Sequence, residues 1–164
     1  MPDHERDLAR IALQEQRLVF PRFDAATAWD IGCRLKAAAE ARGAALVIDI
    51  QVAGRTLFHH AMPGTTPDNA DWVRRKRNVV QRFHRSSYAM GLMLQQQGTT
   101  LEAKYAADPK DHASHGGGFP LRVEGTGCVG SITVSGIPQR EDHGLVVRAI
   151  AEHLGLDPAG LALD

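Results

Sequence analysis

Nowhere is this chain apolar for long enough to span a bilayer. Its first residues, Met-Pro-Asp-His-Glu-Arg-Asp, lack the apolar stretch of a secretory signal. Both absences lead to the expectation of a cytoplasmic protein. Net charge is lacking too: Lys plus Arg and Asp plus Glu each number 19. Without excess charge there is no general attraction to nucleic acid or to an anionic membrane, so neither is expected as a partner. The same neutrality removes repulsion between copies, which favours a homo-oligomer. Cysteine is scarce. Cys33 falls in a helical pattern and Cys128 in a strand pattern, and both read as buried, reduced thiols. No repeat, low-complexity tract or linker interrupts the chain, so one domain over residues 1–164 is expected.

What is present is strong periodicity. Residues 3–17 carry Leu8, Ile11 and Ala12 at helical spacing. Leu18–Phe23, broken by Pro21, suits an edge strand or a connection. Asp24 caps a helix with Ala28, Ile31, Leu35 and Ala38 as its buried stripe, ended by Gly43. Ala45–Val52 and Arg55–Met62 flank Ala53-Gly54 and predict a hairpin. Thr66-Pro67 starts a helix whose stripe runs from Trp72 to Leu94, about 30 residues in all, with a break expected near Ser86-Ser87. Thr99–Tyr105 reads as a short strand and Ala106–Gly118 as an exposed loop. Phe119–Val123 and Cys128–Val134 form a second hairpin, and Pro138 opens the last helix. Strands grouped as hairpins predict an α+β fold with an antiparallel sheet.

Several motifs invite chemistry. Gly125-Thr-Gly-Cys-Val-Gly130 spells a dinucleotide fingerprint, but a strand, Ser-Ile-Thr-Val, follows where a helix is required. It is read as a turn. His112 and His115 lie close together, yet no carboxylate or cysteine cluster completes a ligand set, and no metal site is expected. His59 and His60, adjacent in a strand, point to opposite faces. Arg74-Arg75-Lys76-Arg77 covers nearly a full helical turn, which puts Lys76 on the apolar stripe. A lysine there must snorkel, pair with a carboxylate, or face a pocket or subunit interface. Glu141-Asp142-His143 opens the last helix, where the dipole favours carboxylates and an Asp–His pair could serve proton transfer. No serine or cysteine is placed as a nucleophile: Ser135-Gly136 lacks the elbow pattern.

Pro63-Gly-Thr-Thr-Pro-Asp-Asn-Ala-Asp-Trp-Val-Arg-Arg-Lys-Arg-Asn78 and the stretch from His115 to His143 resemble the haem-degrading, GlcG-like domain family, in its branch of small single-domain proteins. The likeness runs from about residue 8 to 155. It implies a profilin-like three-layer α/β/α sandwich with a five-stranded antiparallel sheet. It also implies dimer-based homo-oligomers. Haem is the ligand that gives the family its name, and so the candidate cofactor here. The resemblance assigns no residue of this chain as a haem ligand.

The expected function is that of an oligomeric domain binding a small anionic molecule, with catalysis left open. Arg75, Lys76 and Asn78 would supply charge and hydrogen bonds. His115, Gly116, Gly117, Asp142 and His143 would complete the pocket. The alternative is a structural or adaptor homo-oligomer, with Lys76 paired to Asp142 or Asp71 across a subunit interface.

Overall fold

Capping side chains set the helix starts. Asp3 accepts the N–H groups of Glu5 and Arg6 and opens α1, His4–Arg17. Asp24 and Thr27 form a reciprocal capping box at α2, Ala25–Ala41. Thr66 and Asn69 do the same for α3, Pro67–Phe83. The long helical pattern breaks where expected. His84 takes a left-handed conformation, φ 54°, and Ser86 then caps α4, Ser87–Gln96. The computed structural model describes residues 3–164, so residues 1 and 2 of the expected domain lie outside the described residues.

Residues 101–105 correct one expectation. Thr100 Oγ1 accepts the N–H of Ala103, and Leu101–Tyr105 is a short helix, α5, rather than a strand. Its Leu101 fills a small cluster with Val79, Met90 and Leu94, so helical packing wins over the short apolar run.

The strands are β1, Val19–Phe20; β2, Val47–Val52; β3, Arg55–Ala61; β4, Gly118–Val123; and β5, Gly127–Ser135. They form one sheet in the order β1-β4-β5-β2-β3. Three of the four pairings are antiparallel, but β1 lies parallel to β4, with Val19 opposite Arg122. The sheet is therefore mixed, not purely antiparallel. The intervening chain, from α2 through α5, supplies the long crossover that a parallel pair needs.

Alternation along the strands separates two faces. Ile48, Ile50, Phe119, Leu121, Ile132 and Val134 point into the main core with α2 and α6, Gln139–His153. The opposite face carries Asp49, Ser131, Thr133 and Gly118 beneath α3. Arg77 of α3 reaches Asp49 at 3.0 Å, and His59 meets the same carboxylate at 3.1 Å.

Two further expectations change. Cys33 is exposed, because the buried stripe of α2 follows Ala28, Ile31 and Leu35 and turns position 33 outward; Cys128 is only half-buried. The loop 106–118 is not simply exposed. Arg74 binds Asp111 and the Lys110 carbonyl, Asn78 binds the Asp111 carbonyl, and Ala113 N–H donates to Arg75 O. These bonds staple the loop to α3 and bury Ala107, Ala113 and Gly116–Gly118.

Candidate functional site

Two helix starts converge on one cleft. The first two turns of α3 bring Asp68, Asn69 and Trp72; the first turn of α6 brings Gln139 and Asp142. The loop adds His115, and the end of β5 adds Ser135 and Gly136. The cleft measures about 300 Å³, at the small end for ligand sites. Both helix N-termini present the positive ends of their dipoles to it.

Lys76 lies at its floor with only 3 % of its side chain exposed. Its Nζ donates to Asp142 Oδ2 at 3.0 Å and to the Val134 carbonyl at 3.2 Å. An ammonium has three donors, so one N–H remains. Asp142 Oδ1 accepts the Ile137 N–H at 3.3 Å. Burial pushes the Asp142 carboxyl up to about 6, against the pull of Lys76. Burial likewise holds the Lys76 amine below its ordinary range. Desolvation thus disfavours the charged form of each partner, and the two shifts bring their proton affinities closer together.

Glycine is required beside this pair. Gly117 has φ +134°, and a Cβ there would lie 2.4 Å from Val134 O and 2.9 Å from Lys76 Nζ. At Gly116 a Cβ would lie 2.1 Å from Gln139 O, and its N–H donates to Gln139 Oε1 at 3.0 Å. His115 stands at the mouth, edge-on to Trp72 at 5.0 Å. The residue is exposed. Desolvation of its ring, followed by the charges of Lys76 and Arg75, still holds the imidazole below its ordinary pKa. That shift favours the uncharged ring.

The sequence-predicted set therefore divides. Lys76, His115, Gly116, Gly117 and Asp142 come together. The Lys76–Asp142 pair forms within one chain, and Asp71 instead binds Arg74 and Arg75. Arg75 lies over the face of Trp72 at 4.0 Å, outside the cleft lining, and Asn78 is spent on the loop. His143 faces the other way. Its Nε2–H donates to Gln14 Oε1 at 2.8 Å, and the ring packs between Tyr88 and Phe119. Asn69 and Gln139 join the cleft without standing out in the sequence. The Thr66-x-x-Asn69 capping pattern was the signal for the first; the second had none beyond following Pro138.

Other features offer less. A groove of about 630 Å³ runs along the outer face of α6, but its Arg140 is committed to Asp7, Tyr88 and the Asp164 carbonyl. Gly125–Gly130 is a turn running into β5, and no helix follows it. Among the described residues no three His, Cys, Asp or Glu side chains are arranged to hold a metal ion. No helix among them is long and apolar enough to cross a membrane.

Comparison with known proteins adds the family. The closely related sequences include a UPF0303 protein of Edwardsiella ictaluri, 60% identical over 153 residues, covering 93% of this chain and 98% of that one. The solved structure of Ybr137w superposes with a TM-score of 0.82 at 28% identity, covering 90% of this chain and 87% of that one. The PduOC:heme complex shares the fold at a TM-score of 0.67 and 19% identity, covering 81% and 94% respectively. The family model described as haem degrading protein HbpS-like matches residues 23–151. The chain belongs to this HbpS-like haem-degrading family.

Proposed function

We propose that the cleft between α3 and α6 binds a small ligand through a carboxylate or phosphate group. The observation that carries this reading is the Lys76 amine, buried at the floor with an unused N–H where two helix N-termini meet. Asn69 and Gln139 add amide groups, and Trp72 forms an apolar wall.

Haem is the second candidate, since one relative of the same fold is a haem complex. The residues fit an edge of haem rather than the whole ring. His115 would hold the iron from the mouth through its imidazole, and Lys76 would meet a propionate. The volume, however, is small, so the macrocycle is not enclosed. When bound, haem would supply iron redox chemistry; the chain would supply orientation and charge.

The test is parallel titration with small carboxylates and with haem. Lys76→Met should abolish carboxylate binding with only a modest change in melting temperature, because Asp142 can take up a proton once its partner is gone. Unchanged binding in Lys76→Met would overturn the reading. Loss of the haem spectrum in His115→Ala alone would assign haem to the rim.

Self-association remains part of the reading. Trp29 on α2 is 66% exposed beside Phe58 of the edge strand β3, an apolar surface suited to a second copy.

A further inference from the structure

Four lysines occur in the chain: Lys36, Lys76, Lys104 and Lys110. Lys104 and Lys110 are exposed and Lys36 is partly exposed, and Lys36 and Lys104 are joined to Glu40 and Gln97 on the surface. Lys76 alone lines a cleft, and it does so beside a carboxylate. A lysine that only neutralised a buried aspartate could be sealed in the core with every N–H bonded. This one is bonded twice, on a floor open to a cavity, and Gly117 keeps the adjoining backbone clear of it.

We propose that Lys76 is an imine-forming amine, condensing with the carbonyl of a small aldehyde or 2-oxo acid held in the cleft while Asp142 carries the protons. For the 2-oxo acid, the inference rests on the anion-binding reading above. A nucleophile and its base must lie within hydrogen-bond reach, and 3.0 Å satisfies this.

The steps balance. The ammonium gives a proton to the Asp142 carboxylate, and the free amine adds its electron pair to the carbonyl carbon. The carbonyl π pair moves to oxygen, which takes the proton back from Asp142. Asp142 then removes a proton from nitrogen and delivers it to the carbinol oxygen. Water leaves as the nitrogen pair forms the C=N bond. The ammonium and the carbonyl have become an iminium and one water, and Asp142 is again a carboxylate. No oxidant or reductant is consumed. Burial supports the amine, since it disfavours the protonated form that cannot attack.

The experiment uses the intact protein near pH 7 with pyruvate, or with propanal as a carbonyl compound without a carboxylate. Cyanoborohydride reduces any iminium to a stable secondary amine. Intact mass and peptide mapping then locate the adduct. The expected result is one adduct per chain at Lys76, with every other lysine labelled to a small fraction of that extent. Selectivity should vanish in denaturing urea. Asp142→Asn should slow trapping while preserving the shape of the floor. Adducts spread over Lys36, Lys104 and Lys110, with Lys76 untouched, overturn the proposal.

Lactate, which has the carboxylate but no carbonyl, separates the two readings by its binding in an NMR titration. If lactate binds and Lys76 is never trapped, the anion site stands and the imine falls. If propanal labels Lys76 while lactate and pyruvate fail to bind, the imine stands and the anion site falls.

Discussion

His143 should make the fold sensitive to acid, and the effect can be isolated by one substitution. The residue is 1% exposed. Gln14 donates from Nε2 to the Leu161 carbonyl at 2.6 Å, which turns its Oε1 toward His143 and makes the imidazole Nε2 the donor. Nδ1 has no partner. A second ring proton would thus be placed in the core with nothing to receive it. Burial is the main cause that lowers the imidazole pKa from 6.5 to about 3, with the nearby Arg140 charge acting the same way and Asp7 opposing it.

The sign follows from proton counting. Between pH 6.5 and about 3 the unfolded chain holds a proton at this position and the native chain does not. Stability is complete above pH 6.5 and is lost as pH falls toward 3. At 1.36 kcal/mol per unit, the loss reaches about 2 kcal/mol at pH 5 and about 5 kcal/mol at pH 3. His143→Leu should be less stable than wild type at pH 7.5 by about 1–3 kcal/mol, because Gln14 Oε1 loses its donor. It does not carry the acid penalty, so the two stabilities should meet near pH 5, to order of magnitude, and then cross. Asp142 and Glu15, both raised by burial, tilt stability the opposite way in the acid range, but they are common to both proteins and cancel in the difference. Urea unfolding at pH 7.5, 6, 5 and 4 measures it. A stability difference that stays constant across these pH values would refute the reasoning.

Two further outcomes are expected. Gly117→Ala should lose about 2 kcal/mol or more and carboxylate binding with it, since a Cβ collides with Val134 O and crowds Lys76 Nζ, whereas Gly144→Ala on the open face of α6 should gain up to about 1 kcal/mol; thermal melts of the pair check both signs. Wild type at micromolar concentration should exceed monomer mass in light scattering, and Trp29→Glu should shift it toward monomer; a monomeric wild type would remove the self-association reading.

Much of the fold was legible because its signals are local. Periodicity and caps placed α1, α2, α3 and both hairpins, and the polar pair Ser86-Ser87 marked the break between α3 and α4. What escaped depends on partners distant in sequence. Two residues of β1 carry no mark of strand direction; parallel pairing with β4 is decided by where α1 delivers the chain. Residues 101–105 are too short for periodicity to separate helix from strand, and the Thr100 cap was the clue that mattered. The 106–118 loop is polar, and part of that polarity serves hydrogen bonds to α3.

The candidate site shows the same division on a finer scale. Lys76 was conspicuous because a cation occupied an apolar stripe, and the structure gives it a buried carboxylate and a cleft. Asp142 and His143 are neighbours in sequence and there look like one unit. On a helix, successive side chains diverge by about 100°, a consequence of 3.6 residues per turn. That step sends Asp142 to the cleft and turns His143 toward Gln14, Tyr88 and Phe119. Adjacent titratable residues on α6 therefore answer to different environments: one beside an amine at the floor of a cleft, the other against rings in the core. The pKa consequences also differ in kind. Burial raises the carboxyl and lowers the imidazole, yet both shifts favour the neutral form. In Asp142 that leaves a group able to exchange protons near neutral pH beside Lys76. In His143 it leaves a histidine whose protonation opposes the fold, so its variants should report on stability and those of Lys76 and Asp142 on ligand chemistry.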